Sequence, residues 1–94
     1  MKRIYKYQLN ITDMQTIQLP AESEVLSVIV QGDSLVIYAL VEEFEARKQE
    51  FNFVIVGTDH PISNKMLNEF KFLGTVQHGP FVWHIFYKSG DIVW

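Results

Sequence analysis

Short apolar runs of four to seven residues dominate the pattern along this chain. The runs are rich in Val, Ile, Phe and Tyr, and they are separated by Gly, Pro, Asn, Asp and Ser. Apolar β-branched and aromatic runs bounded by turn residues are typical of β-strands. The pattern therefore predicts seven strands, over residues 3–9, 16–19, 25–31, 35–41, 51–56, 72–77 and 81–87.

Two connections are short enough to predict β-hairpins. Gly32-Asp33-Ser34 joins the third and fourth runs, and His78-Gly79-Pro80 joins the last two. Both arms of the first hairpin are apolar on both faces, which predicts central strands or a face closed by another subunit. After a predicted break at Ser89-Gly90-Asp91, the apolar residues Ile92-Val93-Trp94 are expected to dock on a strand.

Two segments depart from the strand pattern. Residues 42–50 are mostly polar and charged, which predicts a loop. Residues 63–70 predict a short helix, because Ser63 can cap its first turn and the apolar residues Met66, Leu67 and Phe70 fall on one stripe. We expect a mainly β fold, a compact antiparallel β-sandwich or small barrel of about seven strands with one short helix near 63–70.

Length and composition indicate one soluble globular domain, residues 1–94. The chain is 48% hydrophobic and 20% charged, within the range of folded soluble proteins. The absence of cysteine excludes disulfides, thiolate metal ligands and cysteine nucleophiles. No apolar signal segment follows Met1-Lys2-Arg3, and the longest apolar run, residues 35–41, is far shorter than the roughly 20 residues of a membrane helix. We therefore expect a cytoplasmic protein without a membrane span.

The charge pattern is mildly acidic and uneven. The net charge of −3 argues against general nucleic-acid binding, which requires a strongly basic surface. The first strand is basic and the middle of the chain is acidic, through Lys2, Arg3 and Lys6 and through Glu42, Glu43 and Glu45. We interpret this asymmetry as solvated surface, with steering of a partner as the alternative.

The candidate binding residues lie in two loops and at the last position. Thr58, Asp59 and His60 follow a buried strand, where loops on a rigid scaffold often carry function. Gln77 and His78 form a second polar loop. The two loops would line one pocket if they share one end of the fold, and ordinary turn chemistry is the alternative. The final Trp94 is a candidate contact residue for a partner.

The sequence positions of the histidine, threonine and aspartate residues give little support to a metal site or a catalytic site. His60, His78 and His84 lack the intervals that bring ligands together on one strand or helix, so we expect no metal site and no cofactor. His84 lies mid-strand and is predicted to be a half-buried, hydrogen-bonded structural histidine. Thr58, Asp59 and His60 are adjacent in sequence, and no nucleophile elbow, phosphate loop or dinucleotide motif occurs. We expect no catalytic residues and no enzyme.

Several short motifs spread over nearly the whole chain resemble a known family. They are Ile4-Tyr5-Lys6-Tyr7, Leu26-Ser27-Val28, Ala39-Leu40-Val41, Gly57-Thr58 with His60-Pro61, Leu73-Gly74-Thr75-Val76-Gln77 and Val82-Trp83-His84-Ile85-Phe86. Together they resemble a widespread family of small proteins of unknown function encoded by bacteriophages and prophages. That family carries glycine between the Thr and His of Gly-Thr-Xaa-His-Pro, where this chain has Asp59.

The resemblance implies a setting but no catalytic residue or ligand. It implies a small accessory protein in the cytoplasm of a bacterial host. Such a protein would act by binding a host, phage or immune protein, and its role would be host takeover or counter-defence. Two alternatives stay open, a sponge that sequesters a small nucleotide-type ligand and a structural virion component. For the sponge we expect a pocket completed across the interface of a homo-oligomer.

Overall fold

Seven strands and one helix make up the computed structural model, which describes residues 1–94. The strands occupy most of the chain, and every predicted strand has a counterpart in the structure. They are β1 Lys2–Leu9, β2 Met14–Pro20, β3 Glu24–Gln31, β4 Ser34–Glu42, β5 Lys48–Gly57, β6 Lys71–His78 and β7 Phe81–Val93. The helix α1 spans Asn64–Glu69, and Ser63 caps it by accepting a hydrogen bond from the Met66 amide at 3.1 Å.

The strands form two antiparallel sheets packed face to face. Sheet A has the order β1-β4-β3, and sheet B has the order β2-β5-β7-β6. All neighbouring strands are antiparallel. The prediction of a mainly β, antiparallel fold with one short helix is confirmed, and the two separate sheets make it a sandwich and not a barrel.

The core lies between the sheets and is built by alternation along the strands. On the central strands, every second residue faces inward. In sheet A these are Leu35, Ile37, Ala39 and Val41 of β4, and in sheet B they are Phe51, Phe53 and Ile55 of β5. Burying these side chains is the main source of stability in a domain without disulfides.

Both predicted hairpins are present. Gly32 and Gly79, with φ near +60°, occupy the two hairpin turns. Of the two alternatives predicted for the first hairpin, closure of a face by another subunit stays a prediction, and that of central strands was wrong for β3, which is the edge strand of sheet A. Its partner β4 is the central strand, because β1 pairs along the other side of β4.

Two predicted interruptions are strand in the structure. The predicted loop over residues 42–50 ends early, because Lys48 already pairs with β2 and β7. The predicted break at residues 89–91 is a bulge within β7, in which Gly90 and Asp91 lie opposite Glu50 alone. A β-carbon at Gly90 would lie 3.1 Å from the carbonyl oxygen of Glu50. As expected, Ile92 and Val93 dock on a strand, where they pair with β5, whereas the expectation was wrong for Trp94, which pairs with no strand and stays exposed.

The connection that carries α1 covers part of the outer face of sheet B. Strands β5 and β6 flank β7 and are both antiparallel to it, so residues 58–70 must cross over β7. Phe70 at the end of α1 is buried, and Lys88 of β7 lies over its ring at 5.0 Å. No helix of the chain is long and apolar enough to cross a membrane.

Candidate functional site

The two loops predicted from the sequence lie at the same end of sheet B. Gly57 at the end of β5 and Val76 of β6 both pair with Trp83 of β7. The β1–β2 turn joins the same end, because the carbonyl oxygen of Asp13 accepts a hydrogen bond from the Ile55 amide at 3.2 Å. We call this end, formed by residues 10–13, 57–61 and 77–80, the rim.

Thr58 belongs to a row of polar side chains across the outer face of sheet B. Its hydroxyl oxygen lies 2.8 Å from Nε2 of His84, and the hydroxyl oxygen of Thr75 lies 2.9 Å from Nδ1 of the same ring. The three residues belong to the β5–α1 connection, β7 and β6, so the row crosses β7. Both ring nitrogens are satisfied by hydroxyl groups, which confirms the prediction of a half-buried, hydrogen-bonded His84.

Asp59 adopts a backbone conformation that favours glycine. Its φ is 71°, in the left-handed region, and the turn closes with a hydrogen bond from the His60 amide to the Gly57 carbonyl at 3.2 Å. The glycine of the resembled family at this position fits the same turn without a Cβ penalty. Asp59 is exposed, so its carboxylate adds negative charge to the rim surface.

His60 folds back over the end of the sandwich because Gly57 leaves room for it. A β-carbon at Gly57 would lie 3.1 Å from Cε1 of His60 and 3.3 Å from Cζ3 of Trp83. The imidazole and the indole are therefore close neighbours at the mouth of the core.

Two adjoining clefts open beside His60. One of about 170 Å³ is lined by Ile11, Thr12, Asp13, Ile55, Gly57, His60 and Trp83. The other, of about 320 Å³, shares Asp13, Ile55 and His60 with the first and extends along the outer face of β5 to Pro61. The clefts thus combine a carboxylate, an imidazole and apolar walls. The indole N–H of Trp83 is buried and has no hydrogen-bond partner within the chain.

The predicted rim residues therefore separate into distinct positions. His60 lines the clefts, whereas Thr58 is bonded to His84. Gln77 and His78 lie beyond β7 in the β6–β7 hairpin, and Gln77 donates a hydrogen bond to the Gly79 carbonyl at 3.4 Å. No group of three His, Asp or Glu side chains is arranged to hold a metal ion.

Asp13 and Trp83 line the cleft although the sequence did not single them out. Asp13 lies in the turn between β1 and β2, and the sequence of this turn indicates nothing more than a polar segment. Trp83 is one of several aromatic residues in the apolar run 81–87. Their proximity depends on β2, β5 and β7 being neighbours in sheet B. A single sequence does not specify this order.

Trp94 lies at the opposite end of the sandwich, beside Arg47. The guanidinium carbon of Arg47 lies 5.6 Å from the centre of the indole ring, while 93% of Trp94 remains exposed. Arg47 also donates a hydrogen bond to Glu45 at 2.5 Å. This bond lowers the pKa of Glu45 to about 2, and the Glu45 carboxylate raises the pKa of Arg47.

The outer face of sheet A carries an apolar surface that no other element covers. Core residues Val25 and Val28 flank a one-residue bulge in β3, which leaves Leu26 and Ser27 facing outward. Leu26 is 40% exposed and Ile29 is 39% exposed. Ile4 of β1 is 60% exposed and pairs with Leu40 of β4. The apolar residues of this face are Ile4, Leu26, Ile29, Val36, Tyr38 and Leu40.

Lys6 crosses this outer face. Its ammonium group donates a hydrogen bond to Oε1 of Gln31 at 2.8 Å. Because β4 lies between β1 and β3, the alkyl stem of Lys6 runs over β4. Val36 of β4 lies on the same face between Gln8 and Ile29 and is only 4% exposed.

Much of the charge asymmetry seen in the sequence is neutralised between neighbours. Arg3 forms an ion pair with Glu43, and the amino group of Met1 lies 2.6 Å from Glu42. On the inner side of β1, burial and the neighbouring Tyr5 raise the pKa of the Tyr7 hydroxyl. Lys2 and Lys6 form no salt bridge, so the outer face of β1 keeps a net positive charge.

The structure defines the chain as a small antiparallel β-sandwich with a polar rim and an apolar outer face on sheet A that no other element covers. It belongs to the family described as a domain of unknown function, DUF7352, which matches residues 1–93. Comparison with curated proteins and with solved structures found no match.

Proposed function

We propose that this protein is a non-catalytic accessory protein of a bacteriophage or prophage. In this proposal it acts in the cytoplasm of the bacterial host by binding and inhibiting a host or immune protein. The sequence resemblance described above supports the phage setting. The open apolar face of sheet A supports binding to a protein.

The outer face of sheet A is the observation that carries the proposal. Ile4, Leu26 and Ile29 expose 39–60% of their surface on one side of three adjacent strands. Contiguous apolar surface on a small domain is typical of a site that another macromolecule covers. The outer face of sheet B also exposes apolar residues, among them Met14 and Phe72, but the connection with α1 covers part of that face over β7.

A surface that binds another protein requires few specific polar groups, and the outer face of sheet A is mainly apolar with few polar side chains. Tyr38 and Leu40 of the central strand add aromatic and aliphatic area between the two edge strands. Lys2 and Gln31 border them with polar groups, and Lys6 reaches across the face to Gln31. An apolar centre with a polar border is the usual anatomy of protein interfaces.

Native mass spectrometry of the tagged protein, recovered gently from infected bacteria, tests the proposal. We expect a bacterial polypeptide bound in a fixed stoichiometry and released on denaturation. Recovery of the protein alone, or only as part of purified virions, would contradict the proposal. A small-mass adduct in place of a polypeptide would favour the second candidate function below.

The second candidate function is retention of a small nucleotide-type ligand at the rim. The clefts beside His60 favour it, because the larger one, of about 320 Å³, reaches the lower end of the range of small-molecule sites. Asp13 can accept hydrogen bonds from the ring and exocyclic N–H groups of a base, and Trp83 offers an aromatic surface. The Asp13 carboxylate repels phosphate, so the phosphates would lie outside the clefts.

Variants of the cleft and of the hairpin distinguish the residues that would hold such a ligand. His60→Ala removes a cleft wall, whereas His78→Ala changes the hairpin beyond β7. We expect His60→Ala to abolish retention of the adduct and His78→Ala to preserve it. Equal retention by both variants would exclude the clefts as the site.

A further inference from the structure

Strand β1 has a free edge along its whole length. All eight of its residues pair with β4 without a register shift, and no strand lies on its other side. Half of the backbone N–H and C=O groups of such an edge point away from the sheet. Lys2 through Lys6 are all exposed, so these groups are open to a partner.

The other three sheet edges are less suited to accept a strand. Edge strands β3 and β6 are each interrupted by a bulge. They also approach each other closely, since a β-carbon at Gly74 of β6 would lie 3.0 Å from Cγ1 of Val28 in β3. Strand β2 ends at Pro20, which lacks a backbone N–H. Only β1 offers eight regular residues without proline or a bulge.

The outward side chains of β1 give this edge a distinct chemistry. Lys2, Ile4 and Lys6 follow one another on the outer face, because side chains alternate along a strand. Neither lysine has a carboxylate within salt-bridge distance. The Lys2 ammonium group has no hydrogen-bond partner, whereas the Lys6 ammonium group reaches across β4 to Gln31 and must exchange this neutral hydrogen bond for a carboxylate of the added strand. Directly opposed charges on paired strands attract when they are of opposite sign and repel when they are alike.

This charge selects the kind of strand that can pair with β1. Two copies of the chain pairing through β1 would bring the lysines of both copies into one sheet, and edge lysines are a known device against self-pairing. A strand with carboxylates on its outer face would instead neutralise Lys2 and Lys6. An apolar residue between the carboxylates would cover Ile4.

We propose that the β1 edge binds an extended acidic segment of a partner protein as an additional strand of sheet A. The segment carries an acidic, an apolar and an acidic residue at alternate positions, beside Lys2, Ile4 and Lys6. The added strand extends the open apolar face of sheet A by one strand. This inference rests on the proposed protein-binding function and specifies its partner.

A peptide titration with a charge swap tests the inference. The probes are the peptide Thr-Glu-Thr-Val-Thr-Glu-Thr and its counterpart with lysine in place of glutamate. Binding is followed through the backbone amide NMR shifts of the full chain. We expect the glutamate peptide to shift the amides of β1 and to bind about ten-fold more tightly than the lysine peptide.

The double variant Lys2→Glu/Lys6→Glu should reverse this preference. The control Lys65→Glu/Lys71→Glu changes the net charge equally, on α1 and on the edge strand β6, and should keep the preference of the wild type. The inference is overturned if the two peptides bind the wild type alike. Shifts centred outside β1, or a control that behaves like the β1 variant, would also overturn it.

The outcomes separate this inference from the proposed function. A bacterial polypeptide held equally by the wild type and by Lys2→Glu/Lys6→Glu would support protein binding and overturn the edge assignment. A reversed peptide preference without any captured polypeptide would support the edge assignment and contradict the proposed function.

Discussion

Gly74 of β6 and Val28 of β3 belong to different sheets, yet they are in close contact. A β-carbon at Gly74 would lie 3.0 Å from Cγ1 of Val28, closer than side chains normally pack. The bulge at Leu73 in β6 and the bulge at Leu26 in β3 precede the two contact residues. The contact closes one side of the sandwich and leaves the β1 side of sheet A open.

Replacing this glycine should destabilise the protein through crowding. We expect Gly74→Ala to lower the free energy of unfolding by about 1–3 kcal/mol, because the buried Val28 must shift to make room for the added methyl group. Urea denaturation measures the change. In the double variant Gly74→Ala/Val28→Ala the loss should be smaller than the sum of the two single losses. Strictly additive losses would show that the two residues are not in close contact.

The left-handed backbone of Asp59 leads to a second prediction. Asp59→Gly should be at least as stable as the wild type, and Asp59→Ala should be less stable than Asp59→Gly by about 1 kcal/mol. Thermal and urea denaturation of the two variants measure the difference. At Asn68, within α1, the order should be opposite, because glycine weakens a helix relative to alanine. If Asp59→Gly were less stable than Asp59→Ala, the backbone assignment would be contradicted.

The hydroxyl groups beside His84 should contribute measurably to stability. Thr75→Val keeps the shape and branching of the side chain but removes the hydrogen bond to Nδ1. We expect a loss of about 0.5–1 kcal/mol in the free energy of unfolding and a changed ¹⁵N NMR spectrum of the His84 ring. Because valine favours strands at least as much as threonine, a loss of stability would come from the missing hydrogen bond and not from strand propensity. A variant as stable as the wild type, with an unchanged His84 ring spectrum, would contradict the prediction.

The pair formed by Arg47 and Glu45 predicts a pH dependence. Since the pKa of Glu45 falls to about 2 in the folded protein, its stabilising effect is present above its ordinary pKa of 4.5 and is lost as the pH falls toward 2. Glu45→Gln should therefore be less stable than the wild type at pH 7, and this difference should vanish near pH 2. Urea midpoints at several pH values measure it.

Glu24 provides the control for that experiment. It forms no salt bridge, so Glu24→Gln should not reproduce the pH-dependent difference. A difference between the wild type and Glu45→Gln that is constant from pH 7 to pH 2 would contradict the role of Arg47.

The sequence predicted those elements that local chemistry specifies. The turns at Gly32 and Gly79 and the cap at Ser63 depend only on nearby residues, and all three are present. The extra strand residues at Lys48 and the bulge at Gly90 were missed, because pairing with distant partners overrides the polar local sequence. The sequence left open whether β3 is a central strand or has a face closed by another subunit, because its exposed Leu26 and Ile29 are apolar like core residues.

The candidate surfaces were predictable only in part. Residues 57–61 and 77–80 were expected to line one pocket only if both loops lie at the same end of the fold. They lie at the same end because β5 and β6 both pair with Trp83 of β7. The cleft with Asp13 and the uncovered face of sheet A depend on strand order and on the crossing of α1 over β7. Neither leaves a local signal in the chain.

Comparing matched surface variants tests most directly whether the outer face of sheet A binds a protein. Ile4→Thr/Ile29→Thr reduces the apolar area of this face, and Met14→Thr/Val82→Thr makes a similar change on the outer face of sheet B. Both keep exposed strand positions occupied by a residue that favours strands. Circular dichroism and urea denaturation verify that each variant is folded.

The measurement is the amount of bacterial polypeptide that each form retains in native mass spectrometry. We predict that the wild type and the sheet B variant hold the polypeptide in the same stoichiometry, and that the sheet A variant holds it about ten-fold more weakly or loses it. Equal retention by a folded sheet A variant, or a wild type that retains no polypeptide, would contradict the account.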